Sequence, residues 1–159
     1  MNIPSTLLWG FAATLTLTTA IIAAQSAGLT RMDIPFVLGT MFTIDRDRAK
    51  VIGALFHLVN GWLFASVYSL FFENLHRATW YLGALMGLAQ GTIVMVAVFP
   101  LLPGIHPRMV SDSRGPEPTR LLEPPGFLAM NYGRNTPVII LAAHLLYGLI
   151  LGTFYTLSH

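Results

Sequence analysis

The chain has 159 residues, of which 54% are hydrophobic and only 10% charged, where a soluble domain carries about 25% charged residues. Nine Lys and Arg against seven Asp and Glu leave a net charge of +2, too small for a basic nucleic-acid-binding face. With no cysteine, disulfides, zinc–thiolate sites, iron–sulfur clusters and thiol catalysis are excluded, and the balance predicts a single integral membrane domain.

Four stretches lack Asp, Glu, Lys and Arg over residues 5–24, 51–72, 79–102 and 137–157. Each is near the ~20 apolar residues that a bilayer crossing needs. The first is too long for a secretory h-region and no positive charge precedes it, so it is expected as a span. The connection 25–50 holds Arg31, Arg46, Arg48 and Lys50, and the connection 103–136 holds Arg108, Arg114, Arg120 and Arg134. Only Arg77 lies in the short 73–78 turn. The positive-inside rule then makes both long connections cytoplasmic and both termini external. Trp9, Tyr68, Trp80, Tyr81 and Tyr155 fall near the external ends, as an interfacial aromatic belt would. The predicted fold is all-α, a four-helix membrane bundle.

Within the first connection, Asp33 suits the cap of a short interfacial helix, and Asp45 and Asp47 suit the start of the second span. The second span reads His57-x3-Gly61-x3-Ala65-x2-Tyr68 and the fourth His144-x3-Gly148-x3-Gly152-x2-Tyr155. Arg31-Met32 and Arg108-Met109 rhyme likewise, as do the runs starting at Phe36 and Phe127. This predicts two tandem helix–loop–helix units related by a pseudo-two-fold axis along the membrane normal. Gly83, Gly87 and Gly91 form a small-residue ladder in the third span, matched by Gly61/Ala65, Gly148/Gly152 and Gly10/Thr14/Thr18, so that helix backbones can approach.

His57 and His144 are the acid–base residues deep in the spans, and a polar group there signals a site. At 1.5 Å per residue both stand about 10 Å inside the cytoplasmic boundary. Two facing histidines suit the axial ligation of a haem b iron. In that reading Gly61 and Gly148 give clearance to the macrocycle, and Arg48, Lys50 and Arg134 lie on the side of its propionates. The alternatives are hydrogen bonds to a backbone carbonyl or to Asn60, Gln90 or Tyr147, or another metal or pigment. Gln90 and Asn60 also suit interhelical hydrogen bonding.

The 103–136 connection is too long to be a plain loop. It carries His106, Pro107, Asp112, Pro116, Pro118, Glu123, Pro124 and Pro125, with apolar stretches at Leu121-Leu122 and 124–132. It is expected to fold over the cytoplasmic mouth or to dock on a partner through Pro124, Pro125, Phe127 and Tyr132. His106, Asp33 and Glu123 match no recognised metal-ligand spacing. No phosphate-binding glycine pattern, intramembrane carboxylate or nucleophile–base pair occurs. These features favour a non-enzymatic accessory or assembly subunit of a larger membrane complex, among lipid and other membrane proteins. A bis-histidine electron carrier and a small permease or channel are the alternatives.

The runs from Met32 to Phe42 and Leu122-Glu123-Pro124-Pro125-Gly126-Phe127 resemble a family of small bacterial four-helix integral membrane proteins. The resemblance implies a bacterial cytoplasmic membrane. It brings no activity and no functional residues.

Overall fold

A computed structural model of the chain describes residues 1–111, 118–120 and 122–158. Asp112, Arg114, Pro116 and Leu121 lie outside the described residues. Four helices are long and apolar enough to cross a membrane: α1 (Ile3–Ser26), α3 (Arg46–Asn74), α4 (Trp80–Ile105) and α5 (Thr136–Phe154). A short α2 (Ile34–Gly39) lies between α1 and α3. The four expected long helices are all present, with different ends. α3 begins one turn early because the Asp45 carboxylate accepts from the Arg48 amide at 2.8 Å, and α5 stops at Phe154. Asp33 caps α2 in the same way, accepting from the Phe36 amide at 3.0 Å.

The exterior is apolar. Val138 and Leu85 are 69% and 66% exposed, on helices long and apolar enough to cross a membrane. Inside, α4 packs on α5, α5 on α1, and α1 on α3. Glycine makes the closest of these contacts. A Cβ on Gly83 would collide with the Gly148 carbonyl, and one on Gly148 with the Gly83 carbonyl, so the two backbones touch. Across α1 and α3, Gly61 admits the Thr14 side chain, and Gly10 lies against Ala65.

The two proposed units therefore pack alike, α1 with α3 and α4 with α5. The seams between them differ. A two-fold axis would pair α3 with α4 as closely as α1 with α5, but α3 and α4 do not pack along their lengths. The rhyme between the Phe36 and Phe127 runs also ends at sequence. The first is α-helical, whereas Phe127–Tyr132 is a tight 3₁₀ turn with left-handed Leu128 and Ala129 (φ 53° and 60°).

α4 contains a widened π turn at Val94–Val98. Pro100 and Pro103 follow it and lack backbone donors, and helices commonly distort at such points.

One end of the bundle gathers both chain ends and the α3–α4 turn. Glu73 accepts from the Tyr155 hydroxyl at 2.7 Å and from the Ser158 amide at 2.8 Å, and the Asn2 amide donates to Tyr155 at 2.9 Å. Trp9 stacks on Phe154 there, with ring centroids 4.6 Å apart. The two long connections close the other end. The Arg31 amide donates to the Tyr132 carbonyl at 2.6 Å, Thr30 and Thr136 share a 2.7 Å hydrogen bond, and Arg31 pairs with Glu123 at 2.9 Å.

Candidate functional site

The seam left open between α3 and α4 leads to the histidines. His57 on α3 and His144 on α5 line one chamber of about 150 Å³, with Thr14, Leu17, Asn60, Gln90 and Tyr147. Val94 and Val98 of the π turn, and Ile34 and Leu38 of α2, complete its wall. Outside it lies an apolar cleft of about 210 Å³ lined by Phe64, Val67, Met86, Ala89 and Ile93. Chamber and cleft share Phe64, Gln90, Val94 and Val98. A smaller apolar recess continues from the chamber under α2 to Pro125 and Tyr132.

Local geometry fixes each ring. His144 is 5% exposed, and its Nδ1 lies 2.8 Å from the Ile140 carbonyl one turn back in the same helix. Gly91 leaves room for it, since a Cβ there would come within 3.1 Å of the His144 Cβ. His57 Nδ1 lies 3.0 Å from the Thr18 hydroxyl of α1. That hydroxyl in turn donates to the Thr14 carbonyl at 2.7 Å. Among the described residues, Nε2 of neither ring has a hydrogen-bond partner, and both residues line the chamber. The Tyr68 hydroxyl reaches across the open seam to Gln90 Oε1 at 2.8 Å, and the Tyr147 hydroxyl donates to the Gly61 carbonyl at 2.6 Å.

The structure thus brings together His57, His144, Gln90, Asn60 and Tyr147. Gly61 and Gly148 do different work from the clearance expected of them. Gly61 is filled by Thr14 and Gly148 by the Gly83 backbone, so both serve helix packing. The chamber is also well below the roughly 300–1,000 Å³ of pockets for larger ligands, and in this conformation it does not admit a macrocycle.

Pro125 and Tyr132 are buried within the chain, which corrects their expected place on a partner surface. The Tyr132 hydroxyl donates to the Glu123 carbonyl at 2.6 Å, so the turn is fastened to its own loop. Pro124 is half-buried and its carbonyl accepts from the Asn131 side-chain Nδ2, whereas Phe127 is 72% exposed.

His106, Asp33 and Glu123 are not a ligand cluster. His106 Nε2 lies 2.9 Å from the Val37 carbonyl, and its Nδ1 accepts from the Arg108 amide at 3.1 Å. Asp33 caps α2 and Glu123 pairs with Arg31. No group of three or more His, Cys, Asp or Glu suited to a metal ion occurs among the described residues.

Sequence reasoning missed Thr18 as the anchor of His57. It also missed α2 as a wall of the chamber. Thr14 and Thr18 stand at i and i+4 on one helix face, a spacing that carries the first of these signals. Comparison with protein-family models, curated proteins and solved structures gives no match.

Proposed function

We propose that this chain is a non-enzymatic membrane subunit that takes a small lipid-soluble molecule from the bilayer and holds its polar end on His57 and His144. The observation that carries the proposal is the convergence of two imidazoles, each anchored through Nδ1, on a chamber continuous with the open α3/α4 cleft. In lipid, a polar atom left without a partner, as each Nε2 is, is costly and marks a site. The resemblance of the 32–42 and 122–127 runs supports a bacterial cytoplasmic membrane, and the charge asymmetry supports an orientation with the two long connections inside the cell and both termini outside. The paired packing of α1 with α3 and of α4 with α5 supports two repeated units. Exposed Phe127 on the loop side is the contact we assign to a larger assembly.

The test is native mass spectrometry of protein extracted in mild detergent from its own membrane. Wild type is expected to retain a lipid-soluble adduct that His144→Ala and the cleft-filling Ala89→Phe both lose. An adduct unchanged in both variants refutes the proposal. The uncommitted Nε2 atoms also support a second reading, bis-histidine haem ligation after the chamber widens. A reduced-minus-oxidised absorption spectrum without a Soret change, after reconstitution with haem, eliminates it.

A further inference from the structure

We infer that the polar end of the ligand is a neutral ring hydroxyl, of the alkyl hydroquinone or alkyl phenol class, and neither a carbonyl acceptor nor a cation. This rests on the ligand-binding reading above.

Proton bookkeeping carries the argument. The Ile140 carbonyl can only accept, so the proton of His144 is on Nδ1. The Thr18 hydroxyl spends its own hydrogen on the Thr14 carbonyl, so it accepts from His57, whose proton is also on Nδ1. Among the described residues the lining holds no Asp, Glu, Lys or Arg, and a charged imidazolium without a counterion is costly there. Each ring is therefore a neutral imidazole with one N–H, already used. Both Nε2 atoms meet the chamber as lone pairs. Tyr68 donates to Gln90 Oε1, which leaves the Gln90 amide hydrogens as donors beside them.

The complement of two acceptors and a donor is a ligand whose hydroxyls donate to imidazole and whose oxygen accepts from the amide. A quinone or ketone would set its lone pairs against those of the rings. A metal cation would find two neutral nitrogens and no carboxylate, thiolate or thioether in the lining to balance its charge. Size agrees. An apolar cavity of about 150 Å³ holds a single benzene-sized ring, and the adjoining cleft of Phe64, Val67, Met86, Ala89 and Ile93 suits an alkyl tail.

The experiment is calorimetric titration of the full chain in nanodiscs with four probes: decylhydroquinone kept reduced under argon, its quinone, its dimethyl ether, and decylbenzene. The hydroquinone is expected to bind at least about tenfold more tightly than the ether, roughly one hydrogen bond's worth or more. The quinone should bind no better than the ether. ¹⁵N resonances of labelled histidine should move at Nε2 and not at Nδ1, a readout on wild type that does not depend on a variant folding. His57→Leu should erase the preference for hydroxyl.

Equal binding of all four probes, blocked by Ala89→Phe, overturns the hydroxyl assignment and leaves the cleft as a ligand site. Preference for the quinone overturns it likewise. Failure of every probe to bind overturns both the assignment and the proposed function.

Discussion

Gly83→Ala is the sharpest test of how the bundle is held. A Cβ at position 83 would collide with the Gly148 carbonyl and lie 2.8 Å from both Cα and N of Gly152. These are backbone atoms that cannot rotate away. To restore an ordinary contact of about 3.5 Å, α4 and α5 must part by roughly 1–1.5 Å. Overpacking of this kind costs about 1–3 kcal/mol. Alanine recovers about 1 kcal/mol of intrinsic helix preference over glycine, so a net loss of up to about 2 kcal/mol is expected, and a deficit of about 1–3 kcal/mol against a control that gains the same preference without the clash. Gly104→Ala is the control, because a Cβ there meets nothing within 4 Å. Its expected effect is zero to about 1 kcal/mol of stabilisation. Reversible unfolding in mixed micelles, followed by circular dichroism, compares the two directly. If Gly83→Ala is as stable as Gly104→Ala, the reading of glycine as a backbone contact is wrong.

Two further outcomes follow from the loop end. Asp33→Ala removes the acceptor of the Phe36 amide and should cost α2 about 1 kcal/mol; hydrogen exchange at residues 36–39 should quicken about fivefold, and unchanged exchange would mean that packing on α3 alone holds the helix. Burial and the charge of Arg108 hold the His106 imidazole below its ordinary value of 6.5. The unfolded chain therefore takes up a proton near pH 6.5 that the folded chain refuses, and stability falls as pH drops below that value. His106→Asn should flatten this acid slope in pH-dependent unfolding, and an identical slope in both proteins would remove His106 as its source.

Much of the scaffold is legible along single helices. A run free of charge marks each span, a side-chain acceptor three residues before an amide marks the caps at Asp33 and Asp45, and glycine at every fourth position marks the α4 face that meets α5. The two histidines stand out for a related reason, since lipid makes any buried titratable group conspicuous. The relation between helices is not written in this way. Nothing in the α3 or α4 sequence states that their mutual seam stays open, because a helix face suited to lipid and one suited to a cleft are equally apolar. The fate of Pro125 and Tyr132 was hidden for a similar reason. Their burial depends on left-handed Leu128 and Ala129, residues with no intrinsic preference for that conformation, and only contacts across the loop hold them there.

The two His-x3-Gly runs place one histidine and, a turn later, one glycine on each of α3 and α5, and each glycine packs on a sequence-adjacent long helix, Gly61 against Thr14 of α1 and Gly148 against Gly83 of α4. A two-fold arrangement would also close α3 onto α4, which do not pack along their lengths. The chain departs from that symmetry where Pro100 and Pro103 follow the π turn at Val94–Val98 and where α2 leans on the start of α3. There a Cβ on Gly53 would collide with the Pro35 carbonyl. These asymmetric features border the chamber that His57 and His144 share. Filling the open seam while leaving the histidines intact, as Ala89→Phe does, therefore separates access from recognition: ligand entry should fail although both Nε2 lone pairs remain.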